Sequence, residues 1–170
     1  MAVRIVDRPV VPDGYGVQDD GPYLEWVDVE DWLVESTEYW LATTRPDGRP
    51  HVVPRWGVWL DERFWYDGSP LTRHARNLAG NPACALHLES GTTVTIVEGT
   101  SAPSPPIVGE MGERLAAEYA RKYETLGYAP AADAWSDERS GGMRVLTPDK
   151  AIAWSRFPTD MTRYVFSSSP

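Results

Sequence analysis

Apolar residues in this chain recur mainly at alternate positions, in short runs closed by Gly, Pro, Asn and Asp. That is the pattern of half-buried strands joined by tight turns. It predicts strands over 38–44, 51–60, 63–67, 83–88, 92–101, 143–146, 150–156 and 162–166. In the long run 51–60, Val53, Arg55, Gly57 and Trp59 share one face; Val52, Pro54, Trp56, Val58 and Leu60 share the other. Pro54 cannot donate to a ladder, so this strand is expected at an edge or bulged. Arg45-Pro46-Asp47-Gly48-Arg49 and Asp61-Glu62 read as the turns on either side.

Helical spacing marks three further stretches. Asp28 is expected to cap a helix over 29–36, with Trp32 and Leu33 turned inward. A short helix over 71–79 ends at Gly80-Asn81-Pro82. The longest, 108–126, carries Met111, Leu115, Tyr119 and Tyr123 on one face. Residues 1–22, rich in Pro, Gly and Asp, read as an extended arm able to wrap a partner subunit. Residues 127–142 read as a long loop and 167–170 as a frayed tail. Many hairpin-linked strands with few short helices predict one mainly β domain over 23–166, a closed antiparallel barrel.

Composition narrows what such a barrel does. With 170 residues, 42% of them hydrophobic, the chain is long enough to bury one core. A formal net charge of −9 argues against a nucleic acid or an anionic membrane as partner. Yet between residues 39 and 88 six arginines meet four acids, so positive charge is concentrated there. Arg45, Arg49 and Arg63 read as solvated turn residues. The eight Trp suit stacking on planar rings or a dimer seam, and equally suit plain packing. Cys84, the only cysteine, reads as a packed thiol. No secretory signal is evident, and no apolar run approaches the ~18 residues of a membrane span, so a cytoplasmic location is expected. His51, His74 and His87 lack metal-site spacing, so no metal is expected. Neither a Gly-x-Ser-x-Gly elbow nor a nucleotide-binding Gly loop is present.

The densest chemistry lies at Ser69-Pro70-Leu71-Thr72-Arg73-His74-Ala75-Arg76-Asn77-Leu78. Hydroxyls run into a basic trio that opens a helix, and a phosphate is held by such hydroxyls, guanidinium forks and free helix N–H groups. Thr72 and Arg76 share one helix face, whereas Arg73 and His74 point elsewhere. The alternative is an ordinary helix start with exposed basic residues. Asn77 reads as a structural hydrogen-bonder. Arg55 and Trp56 suit a flat heteroaromatic laid along a strand, with Arg55 polarising a ring carbonyl; Arg55 equally suits a carboxylate across a subunit boundary.

Taken in order, residues 41–54, Trp56, Phe64-Trp65-Tyr66, residues 72–78, Asn81-Pro82, Trp154 and residues 162–166 resemble the pyridoxamine 5′-phosphate oxidase-like group of flavin and deazaflavin oxidoreductases. The resemblance implies a six-stranded antiparallel split β-barrel of the FMN-binding type, working as a homodimer with the cofactor between subunits. It implies a cofactor ring along the strand 52–56, with Val53, Pro54, Arg55 and Trp56 as binding candidates, and a phosphate gripped by Thr72, Arg73 and His74; Ser69 and Arg76 join them as candidates from the hydroxyl and arginine pattern. His74 stands where the family commonly has Lys; a neutral imidazole weakens the clamp, and Arg73 and Arg76 are expected to compensate. Chemistry then resides in the cofactor, and no acid–base pair is required of the protein. Arg55 is the candidate electrostatic stabiliser of a reduced ring, and Trp56 and Trp59 are candidates for lining the substrate side. FMN is the expected cofactor. The deazaflavin coenzyme F-420 is the alternative on the same fold, and a non-catalytic flavin or haem binder is the alternative of another class.

Overall fold

The computed structural model describes residues 3–17, 20–137 and 142–167. Strand β1 (Val3–Asp7) leads to helix α1 (Trp26–Glu35), then β2 (Tyr39–Thr44), β3 (Pro50–Arg55), β4 (Val58–Leu60) and β5 (Arg63–Asp67). Helix α2 (Arg73–Gly80) follows, then β6 (Ala83–Leu88), β7 (Val94–Pro103), α3 (Glu110–Tyr123) with a 3-10 turn (Glu124–Leu126), β8 (Met143–Trp154) and β9 (Thr162–Phe166). All pairings are antiparallel, in the order β1-β9-β8-β7-β6-β2-β3. Strand β5 joins through β8 and carries β4.

The class is therefore mainly antiparallel β with short helices, as expected. Nine strands are present among the described residues, where alternation marked eight runs and the resemblance implied a six-stranded barrel. Three differences separate the nine strands from the eight runs. The run 51–60 is two strands, because the chain breaks at Trp56-Gly57. A Cβ on Gly57 would collide with the Phe64 ring, so the backbone passes close over the core there. The Tyr123 hydroxyl pins the break, accepting from Gly57 N–H at 3.0 Å and lying 2.9 Å from Gly57 O. Conversely, 143–146 and 150–156 are one long strand. Pro148 is accommodated opposite Gly99, where the β7–β8 register shifts, so the expected turn becomes a bulge. Finally, the segment expected as a free arm begins as β1, paired with β9 of its own chain.

Asp28 lies inside the first turn of α1 rather than at its cap, which is Glu25. A carboxylate there still complements the helix dipole. The expected inward face of that helix holds: Val29 and Leu33 are fully buried, and Trp32 packs partly against the core. Helix α2 begins two residues later than expected because Ser69–Thr72 forms its own turn, Thr72 N–H donating to Ser69 O at 3.1 Å.

Two hydrophobic clusters result. The larger fills the barrel with Tyr39, Leu41, Trp59, Phe64, Tyr66, Leu86, Val97, Leu146 and Tyr164 among others. The second lies under α3, where Leu115, Tyr119 and Tyr123 meet Val58, Trp65, Trp135 and Met143. The stretch expected as a loop over 127–142 thus supplies packed residues, Tyr128 and Trp135; residues 138–141 of it lie outside the described residues, as does the expected tail over 168–170.

Candidate functional site

Strand β3 ends the sheet, as Pro54 required, and its side chains alternate. Val53 packs against the barrel core, while Val52 and Pro54 face outward. Cross-strand register extends that outward face over three strands. Val52, Ala42 and Ala85 form one row, and Pro54, Trp40 and His87 the next, with the Trp40 and His87 rings stacked at 6.4 Å. Just beyond the last pairs, Tyr39 with Arg55 and with Leu88, Trp56, Glu38 and Glu89 line one groove.

Between these residues and the segment after α3 opens a groove of about 750 Å³, lined by Glu38, Trp40, Pro54, Arg55, Trp56, Asp67, Glu89 and Tyr128. Trp56 is held in place by stacking on Tyr123, centroids 5.0 Å apart, and approaches Tyr128 at 6.1 Å. The Tyr128 hydroxyl donates to the Asp67 carboxylate. Burial, and then that hydrogen bond, raises the Tyr128 pKa. Glu38 and Glu89 share a hydrogen bond, which with their mutual repulsion raises the Glu38 pKa.

Arg55 forms the inner floor. Its guanidinium donates to Asp67 O, lies 5.6 Å from the Tyr66 ring centre, and leaves Nε buried without a partner. Gly68 makes room for it: with φ of 148°, a Cβ there would come within 3.1 Å of the Arg55 guanidinium. Behind Arg55 lies His74, only 3% exposed, its Nε2 3.3 Å from the Thr72 hydroxyl. Burial, then the positive charges of Arg55 and Arg144, lowers its pKa to about 4. His74 is thus neutral at pH 7 and is sealed away rather than presented to solvent.

The other phosphate candidates divide. The Ser69 hydroxyl accepts from Leu71 N–H, and the Thr72 hydroxyl donates to Ser69 O at 2.9 Å, so both serve the turn. Thr72 makes no side-chain cap on α2. Arg73 and Arg76 stand exposed, with no side-chain partner among the described residues. Asn77 is buried and donates to the Thr43 hydroxyl at 3.0 Å, the structural role expected of it. Trp59, expected on the substrate side, is buried in the barrel and donates to Glu30 at 2.9 Å, away from the groove. The face is the reason: Trp59 shares the side of Val53, which packs against the barrel core, and not the outward side of Val52, Pro54 and Trp56. Cys84 is half-buried, and burial pushes its thiol up to about 12, so it offers no thiolate. No group of three or more metal-ligating side chains occurs among the described residues. No helix among them is long and apolar enough to cross a membrane.

Glu38, Trp40, Asp67, Glu89 and Tyr128 were not singled out from sequence. Alternation from Tyr39 places Glu38 and Trp40 on the outer face, a signal that was available. Nothing in the sequence pattern brings Tyr128 to Trp56.

The fold is of the antiparallel split-barrel class, with β3 at the end of the sheet. The chain's residues 28–151 match the family model described as pyridoxamine 5′-phosphate oxidase. The chain belongs to that family. Solved structures share the fold. A conserved hypothetical protein of Mycobacterium tuberculosis is 22% identical over 81% of this chain and 88% of its own, with a TM-score of 0.63. An F-420 reductase is 22% identical over 83% and 98%, with a TM-score of 0.51. HutZ, the haem storage protein of Vibrio cholerae, is 20% identical over 75% and 91%, with a TM-score of 0.55. A search of curated proteins gives no match.

Proposed function

We propose that the chain is an FMN-binding oxidoreductase acting as a homodimer, with a small-molecule substrate in the groove beside Trp56. The observation that carries this reading is the groove along the β3 edge, floored by Arg55, with His74 of α2 behind that guanidinium. Val52 and Trp56 on the outer face of β3 are exposed at 49% and 41%, and Arg73 and Arg76 at the start of α2 have no side-chain partner among the described residues. The donor set fits an anionic, planar cofactor: strand-edge amides, the unfilled N–H groups of α2, and Arg73 and Arg76. FMN supplies hydride transfer when bound. Arg55, fixed by Asp67 O, holds a cation at the groove floor where it stabilises negative charge developing on a bound ring. Trp56, braced by Tyr123, walls off water. The exposed strip is the surface a second copy covers to complete the groove.

FMN is favoured over F-420 because the groove offers no basic channel for a long anionic tail; Arg55 is the one cation among its lining residues, against three carboxylates. The test is a fluorescence titration with FMN and with riboflavin, alongside the Arg73→Ala/Arg76→Ala variant. FMN affinity is expected to fall about tenfold or more, some 1.4 kcal/mol, with riboflavin affinity unchanged. Absence of saturable FMN binding, or equal losses for both ligands, defeats the reading. Saturable binding without oxidation of the reduced flavin by any enone or quinone assigns a flavin store instead.

A further inference from the structure

The same lining that leaves no channel for an anionic tail also carries a positive preference. Its walls are aromatic: Trp40, Trp56 and Tyr128, with Pro54 between. Trp56 is held rigidly by its stack on Tyr123, and Tyr128 by its hydroxyl bond to Asp67, so these faces are preset rather than collapsed together. Indole and phenol faces carry negative electrostatic potential and attract cations. The charged lining points the same way. Arg55 is directed at Asp67 O and the Tyr66 ring, at the inner end. At the outer end Glu38 and Glu89, each one residue beyond the last β2–β6 pair of Tyr39 with Leu88, line the groove with Trp56. Among the described residues neither is joined to a Lys or Arg. Their neighbouring charges repel, as the raised Glu38 pKa reflects, and a cation placed between them removes the repulsion.

We propose that the groove selects an organic cation, an aromatic or alkyl ammonium, its charged end at Glu38 and Glu89 and its body against Trp40, Trp56 and Tyr128. As the substrate class of the site this rests on the oxidoreductase reading, whereas the binding preference does not. An aromatic box closed by carboxylates discriminates charge, because an anion meets like charge and a neutral molecule gains only burial. The bipolar lining also orients the ligand, keeping its uncharged part toward Arg55.

The experiment is calorimetric titration of the purified protein with benzyltrimethylammonium, benzyl alcohol and phenylacetate, with FMN titrated on the same samples. The cation is expected to bind about tenfold tighter than the alcohol, and phenylacetate weakest. The Glu38→Gln/Glu89→Gln variant, which removes a repulsion and keeps the fold, is expected to lose about that tenfold preference while FMN and benzyl alcohol bind as before. Trp56→Ala is expected to weaken the cation and the alcohol together. Phenylacetate binding as well as the cation overturns the proposal. So does an unchanged cation affinity in the double Gln variant. A double variant that alters the association state, with no cation binding by the parent protein, also overturns it and gives the carboxylates to a subunit contact. If the cation preference appears without FMN binding, the cofactor reading falls and this one stands. If FMN binds and cations do not, the outcome is reversed.

Discussion

Helices α2 and α3 are both rich in basic residues, and they use them in opposite ways. On α3 each cation has a partner. Arg114 forms a two-pronged pair with Asp61 at 2.9 and 2.6 Å, Arg121 bridges Glu118 and Glu35, and Lys122 donates to Ser36 O and the Tyr39 hydroxyl, both at 2.7 Å. These bonds hold α3 against α1 and the strands. On α2, Arg73 and Arg76 have no side-chain partner among the described residues, and their neighbour His74 is buried and uncharged. Paired cations locate a helix; unpaired ones, gathered at a helix start beside a sheet edge, remain available to an anion. The number of basic residues on each helix does not reveal this. The position of the acids around them does.

The sharpest way to break the contrast is through Lys122. Burial lowers its pKa from 10.5 to about 7. Below pH 7 the amine is charged in both folded and unfolded chains, and the fold bears the full cost of burying it. Between pH 7 and 10.5 the unfolded chain binds more protons, so stability rises with pH, by up to about 4 kcal/mol across that window. Urea unfolding from pH 6 to 10 is expected to show the rise in the parent protein and its loss in Lys122→Met, which leaves Ser36 O without its donor. Parallel curves for the two would place the amine in solvent.

His74 gives the next largest effect. Its folded pKa of about 4 lies below the unfolded value of 6.5. Its stabilising contribution is complete above pH 6.5 and is lost as pH falls toward 4, up to about 3 kcal/mol. Acid unfolding monitored by circular dichroism is expected to shift to lower pH in His74→Gln. The family's commoner Lys at this position would bring a third cation against Arg55 and Arg144. Thermal melts should accordingly show His74→Lys less stable than the parent at pH 7, and a more stable variant would contradict the arrangement.

The smallest effect belongs to the Arg114–Asp61 pair. Both side chains are well exposed, so Arg114→Ala is expected to leave stability nearly unchanged, with any small loss shrinking at high salt. A larger, salt-insensitive loss would mean that α3 is held mainly by charge rather than by Leu115, Tyr119 and Tyr123.

Alternation and turn chemistry carried most of the fold. The inward set Tyr39, Leu41, Val53, Leu86 and Leu88 follows from period-two burial, and Pro54 at an edge follows from its missing N–H. The helix face of Leu115, Tyr119 and Tyr123 was equally local. Trp59 shares the face of Val53, and both meet the barrel core, so alternation itself pointed it inward. The break at Trp56-Gly57 was not legible, because it depends on how the Phe64 ring and the distant Tyr123 hydroxyl meet Gly57.

Sequence alone thus determined the antiparallel β class, the edge position of β3 and the basic start of α2, because each depends on neighbouring residues and backbone chemistry. Tertiary structure decided which cations are spent and which are free. It decided that His74 is enclosed between two guanidiniums, and that Tyr128, Asp67, Glu38 and Glu89 meet around Trp56. Those outcomes depend on burial and on electric fields from distant segments, quantities that exist only once the chain has folded.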